Sequence, residues 1–230
     1  MLANFFVPIL EDGWRFIGIF ALATFLAALT GVAWLFWPLM LITLWSVYFF
    51  RDPPRSVPQD DGVLLAPADG LVQMVVDAVP PAELGLGDQP LTRVSIFLSV
   101  FDVHINRSPC AGTVDVVSYR PGKYLNASGD KASEDNERMA IALKRADGRI
   151  IGCVQIAGWV ARRIVCYLKP AQAVQAGERF GHIRFGSRTD LYLPSGARLL
   201  VAQGQRMIGG ETVIAELDPS TTEPRQAIEF

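Results

Sequence analysis

The chain has 230 residues, 50% of them hydrophobic, a mean hydropathy of +0.27 and a formal net charge of −2 at pH 7. That length suffices for one ordinary soluble domain plus a short accessory segment, but the hydropathy is too high for a purely soluble chain. The charge is nearly balanced and no Lys/Arg-rich run occurs, which excludes nucleic acid as a natural partner. Cys110, Cys153 and Cys166 are odd in number and lack C-x-x-C spacing, which excludes a disulfide framework and a zinc site; they read as reduced thiols of a cytoplasmic domain.

The apolar excess lies in residues 16–50, a run of 35 positions without Asp, Glu, Lys or Arg. As one straight helix it would measure roughly 50 Å, well beyond the ~30 Å hydrocarbon core of a bilayer. Gly31 and Pro38 near its middle predict two short helices, about 16–30 and 33–50, forming a hydrophobic hairpin or re-entrant pair. Arg15 precedes the run, and Arg51 and Arg55 follow it, so both flanks fall on the cytoplasmic side by the positive-inside rule. No basic residue precedes Arg15 and the run is too long for a secretory signal, so residues 1–50 are read as a retained anchor in the cell membrane.

Residues 51–61, RDPPRSVPQDD, hold three prolines among charges and read as a linker leading away from the membrane. From residue 62 to 230 the pattern is short β-type runs between turns, among them GLVQMVV, RVSIFLSV, GTVDVVSY, MAIALKR, RIIGCVQI and TDLYLP. Strands of this length and spacing predict a mainly β domain, barrel-like or sandwich, rather than alternating βα units. Residues 80–91 read as a loop, 121–137 as a long polar loop able to cover a site, and 218–230 as a loosely held tail.

Only His104 and His182 offer an imidazole. His104 follows an apolar strand in FLSVFDVHINRSP, where a strand-end side chain can reach a cleft; His182 lies five residues before Ser187. Asp69 sits in LLAPADGLV, bracketed by Pro67 and Gly70. Each has a plain structural explanation: a satisfied core histidine, a turn aspartate, a glycine-serine bend.

Taken in order, however, LLAPADG, FDVHINRSP, ASEDNER, FGSRTDLYLP and GQRMIGGETVIAEL resemble the matching segments of the phosphatidylserine decarboxylase family, most closely its short form. The hydrophobic N-terminus followed by FFRDPPR extends the resemblance over nearly the whole chain. It implies a pyruvoyl enzyme that cuts itself between Gly186 and Ser187, giving a large chain 1–186 and a small chain 187–230. Ser187 would be the nucleophile and the source of the pyruvoyl group, His104 its base, and Asp69 the carboxylate orienting that base. The pyruvoyl ketone would engage the headgroup amine of phosphatidylserine and take up electrons as CO2 leaves, with no metal.

The resemblance also implies membrane lipid as a partner and leaves a homodimer open. Larger members carry a second histidine in H-x-x-H-x-P, where this chain has His104-x-x-Arg107-x-Pro109. Arg107 cannot shuttle protons at neutral pH but can meet an anionic group. Lys123, Asn136, Arg138 and the pair Arg162-Arg163 are further candidates for phosphate, substrate or membrane contacts, with solvated surface charge as the plain alternative.

Three other classes remain at the level of sequence. LLAPADGLV and GGETVIAEL also fit the strand-turn grammar of an uncleaved, membrane-anchored carrier or binding domain of lipoyl or phosphotransferase type, although no lysine sits at a convincing hairpin tip. A zinc peptidase would need a His-x-His pair that this chain lacks. An anchored structural domain would also stay uncleaved.

Overall fold

The computed structural model describes residues 7–125, 135–158, 163–184, 186–218 and 226–229. The chain divides into two compact units, Met1–Pro54 and Arg55–Phe230.

The first unit is a pair of apolar helices, α1 (Gly13–Thr30) and α2 (Ala33–Phe49). Gly31 stops α1 because it adopts the left-handed conformation (φ 68°) and returns its N–H to the Ala28 carbonyl. The two helices meet through the Thr24 and Thr43 hydroxyls, 3.0 Å apart, and each threonine also bonds a carbonyl of its own helix. Phe16 stacks on Phe50, and Gly13 leaves room for that ring. Trp14, Ile19, Leu22, Phe25, Leu29, Trp34, Trp37 and Leu41 are exposed. A helix of this length spans about 27 Å, so α1 is long and apolar enough to cross a membrane, while α2 is slightly shorter. Exposed apolar helices of this kind suit association with a membrane.

The second unit is mainly β. In chain order its strands are β1 (Ser56–Gln59), β2 (Val63–Leu65), β3 (Gly70–Ala78), β4 (Leu91–Leu98), β5 (Ile105–Arg107), β6 (Gly112–Arg120), β7 (Arg138–Lys144) and β8 (Ile150–Ile156). They continue as β9 (Ile164–Cys166), β10 (Ala173–Val174), β11 (Arg179–Ile183), β12 (Ser187–Tyr192), β13 (Arg198–Leu199), β14 (Arg206–Met207), β15 (Val213–Glu216) and β16 (Gln226–Glu229). An eight-stranded antiparallel sheet, β10-β6-β7-β8-β12-β4-β3-β14, curls into a half-barrel. Two three-stranded sheets, β5-β11-β9 and β13-β15-β2, and the pair β1-β16 complete it.

Alternation along the strands divides the large sheet into two faces. Val94, Ile96, Leu98, Ile141, Leu143, Ile151, Cys153 and Leu191 fill the main core on one face; Ala140, Ala142, Val154, Ile156 and Tyr192 pack with Leu84 on the other. Ser187 and Thr189 share a face with Leu191, while Arg188 and Asp190 share one with Tyr192 and pair with each other at 2.8 Å, fully buried.

Two local readings differ from the structure. The stretch read as a connection contains β1, whose Val57 is fully buried, and the tail read as loosely held supplies its partner β16. The pairing of residues 56–59 with 226–229 joins the two ends of the second unit, which no local pattern encodes. The 80–91 loop carries a short 3-10 turn, Ala82–Leu84, because Leu84 is drawn into the second core.

Candidate active site

Ser187 opens β12, paired to Leu98 of β4, and is fully buried. Its Oγ has no hydrogen-bond partner among the described residues. A buried hydroxyl without a partner is costly, and its retention asks for a chemical reason. Just before it, Gly186 takes φ 66°, a left-handed conformation, although a Cβ there would touch none of the described residues. Glycine is needed at 186 for its backbone freedom, not for space.

His104 comes from the turn after β4. Asp102 builds that turn by accepting from the Ser99 N–H (2.8 Å) and hydroxyl (2.7 Å), and Arg206 donates to its other oxygen. The buried imidazole then presents Nδ1 to the Asp102 carbonyl oxygen at 2.9 Å. A carbonyl oxygen can only accept, so Nδ1 carries the proton and Nε2 keeps its lone pair. The Gly186 N–H faces that Nε2 at 3.4 Å. The tautomer is the one a general base requires, and it sits at the junction between residues 186 and 187.

His104 is thus brought to the backbone of Gly186, the residue joined to Ser187, and Asp69 is held by partners of its own. Both of its oxygens accept from Arg55 Nη2, at 2.9 and 2.8 Å, and one also accepts from the Gly209 N–H at 2.8 Å. Burial pushes its carboxyl above the ordinary carboxylate range even though Arg55 pulls the other way. In this geometry the Asp102 carbonyl orients the imidazole, while Asp69 ties the 66–70 turn to Arg55 and to the 208–210 turn.

His182 lies outside the cluster. It pairs with Ile105 across β11 and β5, so it shares a face with Ile105 and not with His104 or Asn106, and its Nδ1 meets the Tyr167 hydroxyl at 3.0 Å. Arg107 falls on that same opposite face, buried, with Nη1 donating to the Gly177 carbonyl at 3.0 Å. Arg138 is buried with its guanidinium on Glu83 at 2.6 Å. Asn136 uses its amide to close the base of the polar loop, donating to Leu125 O and Ala157 O at 2.8 Å and accepting from Leu125 N at 2.9 Å. Lys123 is exposed, 3.5 Å from Asp135. The middle of that loop, 126–134, and Arg162 of the Arg162-Arg163 pair lie outside the described residues.

A profile described as phosphatidylserine decarboxylase matches residues 42–215. Proteins named phosphatidylserine decarboxylase proenzyme are similar over almost the whole chain. That of Paramagnetospirillum magneticum is 58% identical over 95% of this chain and 90% of its own. That of Cereibacter sphaeroides is 55% identical over 99% and 97%, and that of Ruegeria pomeroyi 51% over 94% and 99%. The chain belongs to the phosphatidylserine decarboxylase family.

For a phosphatidylserine decarboxylase family member, several residues of this site escaped the motif reading. Asp102 stands two positions before His104, a spacing visible in the sequence but indistinguishable there from turn chemistry. Arg55 was counted as a flank of the membrane segment, yet it reaches Asp69 from the first residue of the β unit. Asn106, Gln155 and Thr189, which no motif singles out, are all fully buried and bonded in a row.

Proposed function

We propose that this protein is a membrane-anchored phosphatidylserine decarboxylase, converting phosphatidylserine to phosphatidylethanolamine and CO2 after cutting itself between Gly186 and Ser187. The observation that carries the reading is the buried Ser187 hydroxyl, which bonds none of the described residues, beside a left-handed glycine and a neutral, accepting imidazole. An uncleaved carrier has no use for that junction.

His104 Nε2 takes the Ser187 hydroxyl proton, and Oγ attacks the Gly186 carbonyl carbon. The peptide C–N bond breaks, the nitrogen takes a proton, and an ester replaces the amide. Loss of the Ser187 Cα proton with breakage of the Cβ–Oγ bond frees Gly186 as a carboxylate and leaves dehydroalanine at 187. Water adds, ammonia departs, and a pyruvoyl group remains at the head of chain 187–230. The site fits that group, since an Oγ that makes no hydrogen bond among the described residues is lost without breaking one. When present it supplies the electron sink that decarboxylation of an amino-acid headgroup needs.

His104 then returns a proton to the carbon that lost CO2, Asp102 holds the ring in register, and Asp69 braces the neighbouring turns through Arg55 and Gly209. Exposed Lys123 is assigned to the phosphate or the anionic membrane surface; Arg107, Asn136 and Arg138 act behind it by holding backbone and loop. Residues 1–50 serve as the anchor, because a diacyl lipid does not leave the bilayer readily, and the basic flanks Arg15, Arg51 and Arg55 favour the cytoplasmic side for the catalytic unit.

Intact mass spectrometry of the purified protein beside Ser187→Ala tests this, followed by headgroup analysis of phosphatidylserine vesicles. A small chain beginning at position 187 with a blocked end, and phosphatidylethanolamine formation, are expected only without the substitution. A single intact chain that still decarboxylates would refute the self-processing route.

A further inference from the structure

β5 has only three residues, and its pairing with β11 shifts register between Arg179 and Gly181, opposite Arg107 and Asn106. So short and irregular a strand is weakly fixed by its backbone. Yet β5 directly follows His104, and an error of about 1 Å in a reacting group can cost on the order of a hundredfold in rate.

Side chains supply what the backbone lacks. Gln155 Nε2 on β8 donates to Asn106 Oδ1 at 2.8 Å, and Asn106 Nδ2 donates to Thr189 Oγ1 on β12 at 3.2 Å. Gln155 and Thr189 are themselves direct partners across β8 and β12. Gly181 is small where Gln155 passes, since a Cβ there would lie 3.1 Å from Gln155 Nε2 and 2.1 Å from Val165 O. Two residues before Asn106 stands His104; two residues before Thr189 stands Ser187. Ser187 and Thr189 share a face of β12, and His104 stands immediately before β5, so the Asn106–Thr189 bond ties the segment that carries His104 to the strand that carries residue 187.

We propose that Asn106, clamped between Gln155 and Thr189, is the positioning residue that holds His104 over residue 187 for self-cleavage and again for decarboxylation; this rests on the function proposed above. Its second role follows from where the cut falls. Before cleavage the Gly186 N–H also faces His104. Afterwards Gly186 is a chain end, no longer joined to residue 187. Asn106 and Gln155 belong to chain 1–186 and Thr189 to chain 187–230, so the amide row keeps base and reacting group aligned across the two product chains.

The test compares Thr189→Val, which keeps the shape but removes the hydroxyl, with Thr189→Ser, which keeps the hydroxyl. Cleavage is timed after cell-free synthesis with vesicles, and melting temperature, kcat and KM are read on the matured fraction. Thr189→Val is expected to cleave at least about tenfold more slowly and, once matured, to lose kcat with KM unchanged. Thr189→Ser should match the parent in both and in melting temperature, whereas Thr189→Val, which leaves Asn106 Nδ2 only the Pro67 carbonyl at 3.5 Å among the described residues, should also melt somewhat lower. Parental cleavage by Thr189→Val overturns the proposal, as does a Thr189→Ser no better than valine. Should Thr189→Val not fold, Gln155→Leu interrupts the row from its other end, and parental cleavage there overturns it equally. Failure of the unsubstituted protein to release chain 187–230 would instead refute the proposed function.

Discussion

Gly186 offers a quantitative handle on self-cleavage, because its φ of 66° demands glycine while a Cβ there meets none of the described residues within 4 Å. Gly186→Ala introduces no clash, so its whole effect comes from holding an L-residue in the left-handed region, about 1–2 kcal/mol. If the chain keeps the cleavage-ready backbone it carries that strain; if it relaxes, the 186 carbonyl turns away from Ser187. Either way the competent population falls, and 1–2 kcal/mol corresponds to roughly a 5- to 30-fold slower appearance of chain 187–230. Asparagine visits the left-handed region more readily, so Gly186→Asn should fall between alanine and the parent. The assay is a pulse of cell-free synthesis with vesicles, sampled over time by intact mass. Alanine cleaving at the parental rate, or asparagine slower than alanine, would refute the conformational argument.

Other parts of the molecule make separate predictions. Asn136→Ala removes three hydrogen bonds at the base of the polar loop, one of them fully buried, and should cost about 1–3 kcal/mol, read as a lower urea midpoint. The Arg149 guanidinium bonded to Asp147 lowers that carboxyl to about 2 from its ordinary 3.8. Its stabilising effect is therefore present above pH ~4 and lost as pH falls toward 2. Asp147→Asn should lower the melting temperature slightly at neutral pH, and the gap should close on acidification; a gap that widens contradicts it. Burial pushes the Cys110 thiol up to about 11 and raises Cys153 further still, so at pH 8 alkylation of the native protein should spare both and reach the half-buried Cys166 first. Peptide mapping checks the order.

The sequence by itself determined the elements whose cause is local. An uncharged apolar run broken at Gly31 can only be a pair of short hydrophobic helices, and Gly13–Thr30 and Ala33–Phe49 lie close to the expected bounds. Alternating β runs between turns define a mainly β unit in the same way, and the ordered motifs around Asp69, His104 and Ser187 pointed to the family before any geometry was known. What the tertiary structure decided is who touches whom. Arg55 finds Asp69, residues 56–59 pair with 226–229, and Arg138 is spent on Glu83, because strand register couples positions far apart in the chain. The same coupling turns His182 and Arg107 away from His104 and lines up Gln155, Asn106 and Thr189, since a shift of one residue in a strand reverses the face every side chain occupies. Residue types and spacing cannot encode that choice; only the packed sheets fix it.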